Sequence, residues 1–376
     1  MRGVIRRSLE TSRKERRGKA MTSYERVMNA LNHKRPDRPP LNYFGTPETT
    51  QKLQEHLQLD TYEELLCALG ADMRYVSPRY IGPDRFSGTS GWDIGGTDMW
   101  GIGWKPISNK YCTYYEPVHY PLAHARTMKE IEDYAWPKID WLSVSHVREQ
   151  IQQFNQVERR AIVFSAGSFL ETAWCMRGFQ QFMLDMLESP EVVRTILHRV
   201  TRLHKEIMLR AVEEADGGID IVWSASDVGM QTGMLFSADL WRREIRPFHQ
   251  ELIEPFKKMG LKTRYHSDGS IEPIIPDLIE LGLDLLDPIQ PNTPGMDPEN
   301  LMARFGGRIS FYGGVDTQRL LPYGTAQEVE QEVLRLIRVL GAKGGYVVAA
   351  SNAVQPDVPI ENILTLYRTA REYRYR

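Results

Sequence analysis

The stretch "LKTRYHSDGSIEPIIPDLIELGLDLLDPIQ" runs from Leu261 to Gln290 and holds the key to the architecture. It opens on a short apolar run that ends in polar residues. A helical stretch closed by Gly282 follows, and then a second short run ending in Asp287 and Gln290. Strand, helix and strand in that succession form one repeat of an alternating α/β pattern.

The pattern continues on both sides. "AIVFSAG" (Ala161–Gly167), "IDIVWSAS" (Ile219–Ser226), "GRISFYGGVD" (Gly307–Asp316) and "GGYVVAASN" (Gly344–Asn352) each read as a buried strand ending in small or polar residues. Helices between them carry clear punctuation. Ser189 precedes Pro190 as an N-cap, and Val193, Leu197, Val200, Leu203, Ile207 and Ala211 keep helical spacing. Thr325 and Glu328 make a capping box, and Gly341 ends that helix. Near the N-terminus, "PPLNYFG" (Pro39–Gly45) and "GADMRYVS" (Gly70–Ser77) add two strands, with helical "TPETTQKLQEHLQ" and "TYEELLCALG" between them. Eight such units in about 350 residues predict a (β/α)8 TIM barrel with an N-terminal helical extension. The alternative, an open doubly wound sheet, lacks the glycine fingerprint after its first strand. Residues 78–125, rich in Gly, Trp and Tyr, read as an inserted loop or β-meander over one end. One barrel domain is therefore expected over 22–376, behind a basic, flexible extension over 1–21.

Composition excludes several classes of function. The 376 residues are 41% hydrophobic, enough for a large core without disulfides. The net charge is −2, which gives no electrostatic case for nucleic acid. Residues 1–20 hold eight Lys/Arg against two Glu, so the tail is +6 and the remainder −8. No stretch has the length of a membrane span. Cys67, Cys112 and Cys175 form no paired-thiolate motif and read as small core residues in a reducing, cytoplasmic protein.

Barrels of this kind place their chemistry at the C-terminal ends of the strands. That selects His266, Asp268 and Asp227 as candidate catalytic residues, with His266 and Asp268 also a candidate metal pair. Asn42, Tyr43, Ser168, Gln231, Gln290, Asp316, Gln318 and Asn352 are the candidate substrate-binding residues. A second reading stays open: Asp268 or Ser270 can cap a helix beginning near Ile271, and His266 can be a satisfied core histidine.

The order of motifs is similar to that of the uroporphyrinogen decarboxylase superfamily: "HSDG" (His266–Gly269), "IPDLIELGLDLLDPIQP" (Ile275–Pro291), "MDPENL" (Met296–Leu301), "FYGGVDTQ" (Phe311–Gln318) and "PDVPIENI" (Pro356–Ile363). The resemblance spans roughly residues 22–374 and implies the same (β/α)8 barrel. True decarboxylases carry an "RQAGR" segment where this chain has "LNYFGTPE" (Leu41–Glu48), and an aspartate near what is here Ser77–Pro78. Neither is present. The corrinoid-linked methyltransferase branch holds zinc through a His-x-Cys motif and a later Cys. Here those positions read His266-Ser267-Asp268 and Ser351–Asn352, so a thiolate zinc site gives way to an oxygen-rich one or to none. The resemblance thus implies methyl transfer from a small methylated substrate to a corrinoid carried by a partner protein, with a divalent metal such as zinc as a candidate cofactor and a homodimer as a candidate assembly. The alternatives are a uroporphyrinogen decarboxylase or related carboxy-lyase in porphyrin biosynthesis, and a barrel that binds a ligand without catalysis.

Overall fold

The computed structural model describes residues 21–92 and 94–375. The basic extension expected over 1–21 lies outside the described residues except for Met21. Seven parallel strands form one sheet in sequence order: β1 (Met73–Val76), β2 (Ala161–Ser168), β3 (Ile221–Ala225), β4 (Lys262–His266), β5 (Leu285–Ile289), β6 (Ser310–Val315) and β7 (Tyr346–Ala350). The eighth position is filled by the "PPLNYFG" segment, which forms two isolated parallel bridges, Leu41 to Val348 and Gly45 to Val354, instead of a full strand. The Asp72 backbone N–H donates to the Leu41 carbonyl at 2.8 Å, so the segment spans the gap between β7 and β1 and closes the barrel. Two prolines before Leu41 remove the donors a longer ladder would need.

Side chains alternate across each strand. Met73, Ala161, Val163, Ile221, Leu285, Val347 and Ala349 fill the barrel interior, where Val27 and Leu31 of the helix Ser23–Leu31 join them. Ile162, Phe164, Val222, Tyr265, Leu286 and Phe311 face outward into the larger core beneath the helices. Thr325 and Glu328 form their capping box. Ser189 stands at the N-cap before Pro190, but its side chain makes no capping bond.

A three-stranded antiparallel meander, Gly96–Thr97, Gly103–Ser108 and Thr113–His119, interrupts the alternation between β1 and β2. Trp100 and Trp104 are buried there, whereas Trp92, Tyr111 and Tyr114 remain exposed. Cys112 and Cys175 are buried; Cys67 is exposed, because its helix turns it outward, where its thiol donates to Glu63. Among the described residues, no helix is long and apolar enough to cross a membrane.

Candidate active site

Strand alternation builds the site in layers. In β4, Lys262, Arg264 and His266 share the inward face while Tyr265 points out. Arg264 and Asp287 are both almost fully buried inside the barrel. The Arg264 guanidinium donates to Asp287 Oδ2 from Nε at 2.8 Å and to the Tyr75 hydroxyl, and it lies 4.0 Å from the Tyr312 ring centroid. Asp287 Oδ2 also accepts from Trp223 Nε1 at 3.1 Å and lies 3.3 Å from His266 Nδ1.

His266 therefore stands one layer above a buried ion pair, with its Nδ1 side fixed by a carboxylate. Its Nε2 faces two more carboxylates, Asp227 Oδ1 and Asp268 Oδ1, each at 3.8 Å. Burial disfavours the charged imidazole, but Asp287, Asp227 and Asp268 outweigh burial and raise its pKa to about 9. Burial also pushes the Asp268 carboxyl up to about 6, helped by Asp227 and Asp287 and opposed by His266. The Asp287 carboxyl goes the other way: burial raises it, yet Arg264 and His266 hold it below the usual range.

The loops after β2, β3 and β4 interlock around these groups. Glu171 accepts a hydrogen bond from the Asp227 backbone N–H, and Asp227 Oδ1 accepts one from the Asp268 N–H at 2.9 Å. Gln290 Nε2 donates to Asp268 Oδ1 at 2.8 Å, and Asn352 Nδ2 donates to Oδ2. Both oxygens of Asp268 are thus oriented by amides. Asp268 is not a helix cap: the short turn at Glu272–Ile274 has no side-chain cap, and Ser270 donates instead to the Pro294 carbonyl.

A cavity of about 910 Å³ opens over this cluster, and Tyr43, Phe44, Tyr75, Trp223 and Tyr312 wall it. His266, Asp227, Asp268 and Asn352 also line it, as expected from their strand-end positions. Five expected binding residues lie elsewhere. Asn42 is buried and donates to the Tyr75 and Tyr312 hydroxyls, since the closing segment turns it into the barrel wall. Ser168 caps the helix Phe169–Arg177 by accepting from the Glu171 N–H. Asp316 accepts from the N–H groups of Gln318, Arg319 and Leu320, so it fixes its own turn. Gln318 and Gln231 flank a separate cleft too small for a substrate, about 10 Å³. Gln290 reaches the site only through Asp268.

Sequence reasoning passed over Arg264, Trp223 and Glu171. The two-residue period of β4 carried the signal for Arg264, which shares a face with His266. Glu171 gave none, because a carboxylate in a first helical turn is ordinary. Burial, followed by the charge of Asp227, pushes its carboxyl up to about 8.

The donor set admits a cation. Asp227, His266 and Asp268 each offer one ligand atom, and these atoms lie within 4.8 Å of one another. When Nδ1 donates to Asp287, a neutral His266 directs an Nε2 lone pair at two carboxylates with no donor between them. Only a proton or a metal ion relieves that repulsion. The 3.8 Å separations exceed hydrogen-bond length and approach the roughly 3.4 Å ligand–ligand edge of a tetrahedral site. The Asp287 contact is the carboxylate–histidine support typical of metal-binding imidazoles. One nitrogen and two oxygens suit zinc, cobalt or manganese better than a thiophilic ion.

A family model described as uroporphyrinogen decarboxylase (URO-D) matches residues 111–373. Curated uroporphyrinogen decarboxylases from two strains of Thermus thermophilus are each 26% identical over 168 residues, 44% of this chain and 46% of theirs. The chain therefore matches less than half the length of these relatives. Among solved structures, a methyltransferase from Methanosarcina mazei shares the fold with a TM-score of 0.68 at 18% identity, covering 94% of this chain and 99% of that one.

Proposed function

Because the chain belongs to the uroporphyrinogen decarboxylase family, we propose that it is an enzyme that moves a methyl group from a small methylated substrate to a corrinoid held by a partner protein. The observation that carries this reading is the state of the cavity's charges. Arg74 is held by Glu63, with Nε to Oε2 at 2.6 Å, and Arg264 is held by Asp287. No other Lys or Arg lines the cavity among the described residues. A tetrapyrrole bearing many carboxylates would meet no free arginine there and three acidic groups around the one histidine. A neutral, flat substrate suits the aromatic walls.

Asp227, His266 and Asp268 would hold a divalent cation with Nε2 and two carboxylate oxygens. When bound there, the cation supplies Lewis-acid stabilisation to the heteroatom that loses its methyl group. The protein's own groups do the rest. Asp287 fixes the imidazole ring through Nδ1, and Gln290 and Asn352 fix the Asp268 carboxylate. The aromatic walls orient the substrate and exclude water from it. Without a cation, the His266 Nε2–H is itself a proton donor at neutral pH, aimed at the same point.

The reading is tested first by elemental analysis and Co²⁺ titration of the wild type and His266→Ala. Near-stoichiometric, His266-dependent metal is the expected result. Purified protein is then mixed with cob(I)alamin and methyl ethers or methylamines, and formation of methylcobalamin is followed by its absorption. Carbon dioxide release from uroporphyrinogen, without methyl transfer, would overturn the proposal in favour of the carboxy-lyase.

A further inference from the structure

A second built cluster lies in the outer, helical layer of the barrel and shares no lining residue with the active-site cavity. A groove of about 530 Å³ runs between the helices Pro190–Ala215 and Arg246–Lys258. Arg194, His198, Arg199, Arg202 and Arg243 line it. Its carboxylates are Glu244 and, at the rim, Glu132, so the arginines leave a surplus of positive charge on a chain whose net charge is −2.

Two features separate this groove from an ordinary solvated face. The first is preorganisation. The side chain of Glu244 has no solvent exposure, and it receives Arg194 through Nε and Nη2 at 2.8 and 2.9 Å and Arg243 through Nε at 2.8 Å. One buried carboxylate thereby holds two guanidinium groups side by side. Among the described residues, Arg194 Nη1 and both terminal nitrogens of Arg243 are left without a bonded partner. The second is patterning. Arg199 and Arg202 stand three residues apart on the helix that also carries Arg194, a like-charge pair that weakens a helix. Among the described residues, neither Arg199 nor Arg202 bonds to a carboxylate. Unused donors in fork geometry, converging on a concave site of small-ligand size, match phosphate oxygens.

We propose that this groove is a binding site for a small ligand carrying two linked phosphate groups. Arg194 and Arg243 grip one phosphate from the Glu244 platform, and Arg199 and Arg202 meet the other. The inference goes beyond the proposed methyl transfer and does not depend on it.

The test is calorimetric titration of the full chain with pyrophosphate at low ionic strength, repeated with Arg199→Gln/Arg202→Gln and with Arg243→Gln. Arg202 and Arg243 are exposed and Arg199 is half-buried, and unchanged thermal melting in the absence of ligand checks the folding of both variants. Expected are saturable one-site binding that weakens steeply with salt, at least about a tenfold loss of affinity in each variant, and weaker binding of inorganic phosphate. Absence of saturable binding by the wild type, or binding by the variants as tight as that of the wild type, overturns the proposal. So does a hexaglutamate peptide that binds more tightly than pyrophosphate, because the groove would then belong to an acidic protein surface.

Discussion

His266 is the residue at which stability, metal affinity and chemistry meet. Its pKa of about 9 lies above the ordinary 6.5, so the charged form favours the fold. That contribution is full below about pH 6.5 and is lost as pH rises through 9. Asp268 and Glu171, raised to about 6 and about 8, remove stability over a lower window that begins near pH 4. Metal-free protein should therefore melt at progressively lower temperature as pH rises from 6.5 to 9. His266→Gln should flatten that fall across the whole window from 6.5 to 9, leaving only the part due to Glu171, which ends near pH 8; an unchanged slope above pH 8 would contradict the Asp227–His266–Asp268 arrangement. The same proton competes with metal. Co²⁺ affinity should rise by about tenfold per pH unit towards 9 if one proton is displaced. Asp287→Asn should weaken Co²⁺ binding by about 10–100-fold, read by titration of its visible absorption, because the Nδ1 support is reduced.

At the level of elements, the loops after β3 and β4 meet backbone to backbone. A Cβ on Gly269 would lie 2.4 Å from the Met230 nitrogen, and its φ of +76° is one that favours glycine. On the other side, a Cβ on Gly229 would lie 2.4 Å from the Asp268 carbonyl oxygen. Two glycines thus let the loop bearing Asp227 approach the loop bearing Asp268. Gly269→Ala should push these loops apart and weaken Co²⁺ binding by at least about tenfold. Gly217→Ala is the control: it has a similar φ of +80° with nothing within 4 Å of the added carbon, so it should melt lower yet bind metal normally.

For the molecule as a whole, barrel closure rests on Asp72. Its carboxylate accepts from Arg26 Nη1 at 2.6 Å, from Arg38 Nη1 at 2.8 Å and from the Leu41 backbone N–H at 2.8 Å. It thereby ties the N-terminal helix, the closing segment and the start of β1 into one joint. Asp72→Ala leaves two buried arginines without their shared carboxylate and should cost about 3–5 kcal/mol in urea unfolding. Truncations on the exposed meander face, such as Val118→Ser, should change the unfolding midpoint little.

Local chemistry made much of this legible in the sequence. Short apolar runs, proline and glycine punctuation and capping pairs depend on neighbours a few residues away, and they marked the alternating units and the helix starting at Thr325. Because a barrel gathers its strand ends at one mouth, that reading also singled out His266, Asp268 and Asp227 before any contact was known. What remained hidden depends on partners far apart in the chain. Asn42, Ser168 and Asp316 looked as available as Asn352, since a hydrogen bond to a distant hydroxyl or to a loop's own backbone leaves no trace in a list of strand ends. Glu171 passed for a helix-end carboxylate until burial against Asp227 set it apart. Arg264 became an interior ion only once β4 and β5 stood in register. The order of residues was thus enough to mark the repeating units and the end of the barrel where polar groups collect. Which of those groups face a shared point was settled by the folded arrangement alone, because burial and distance belong to the assembled chain and not to its residues taken in turn.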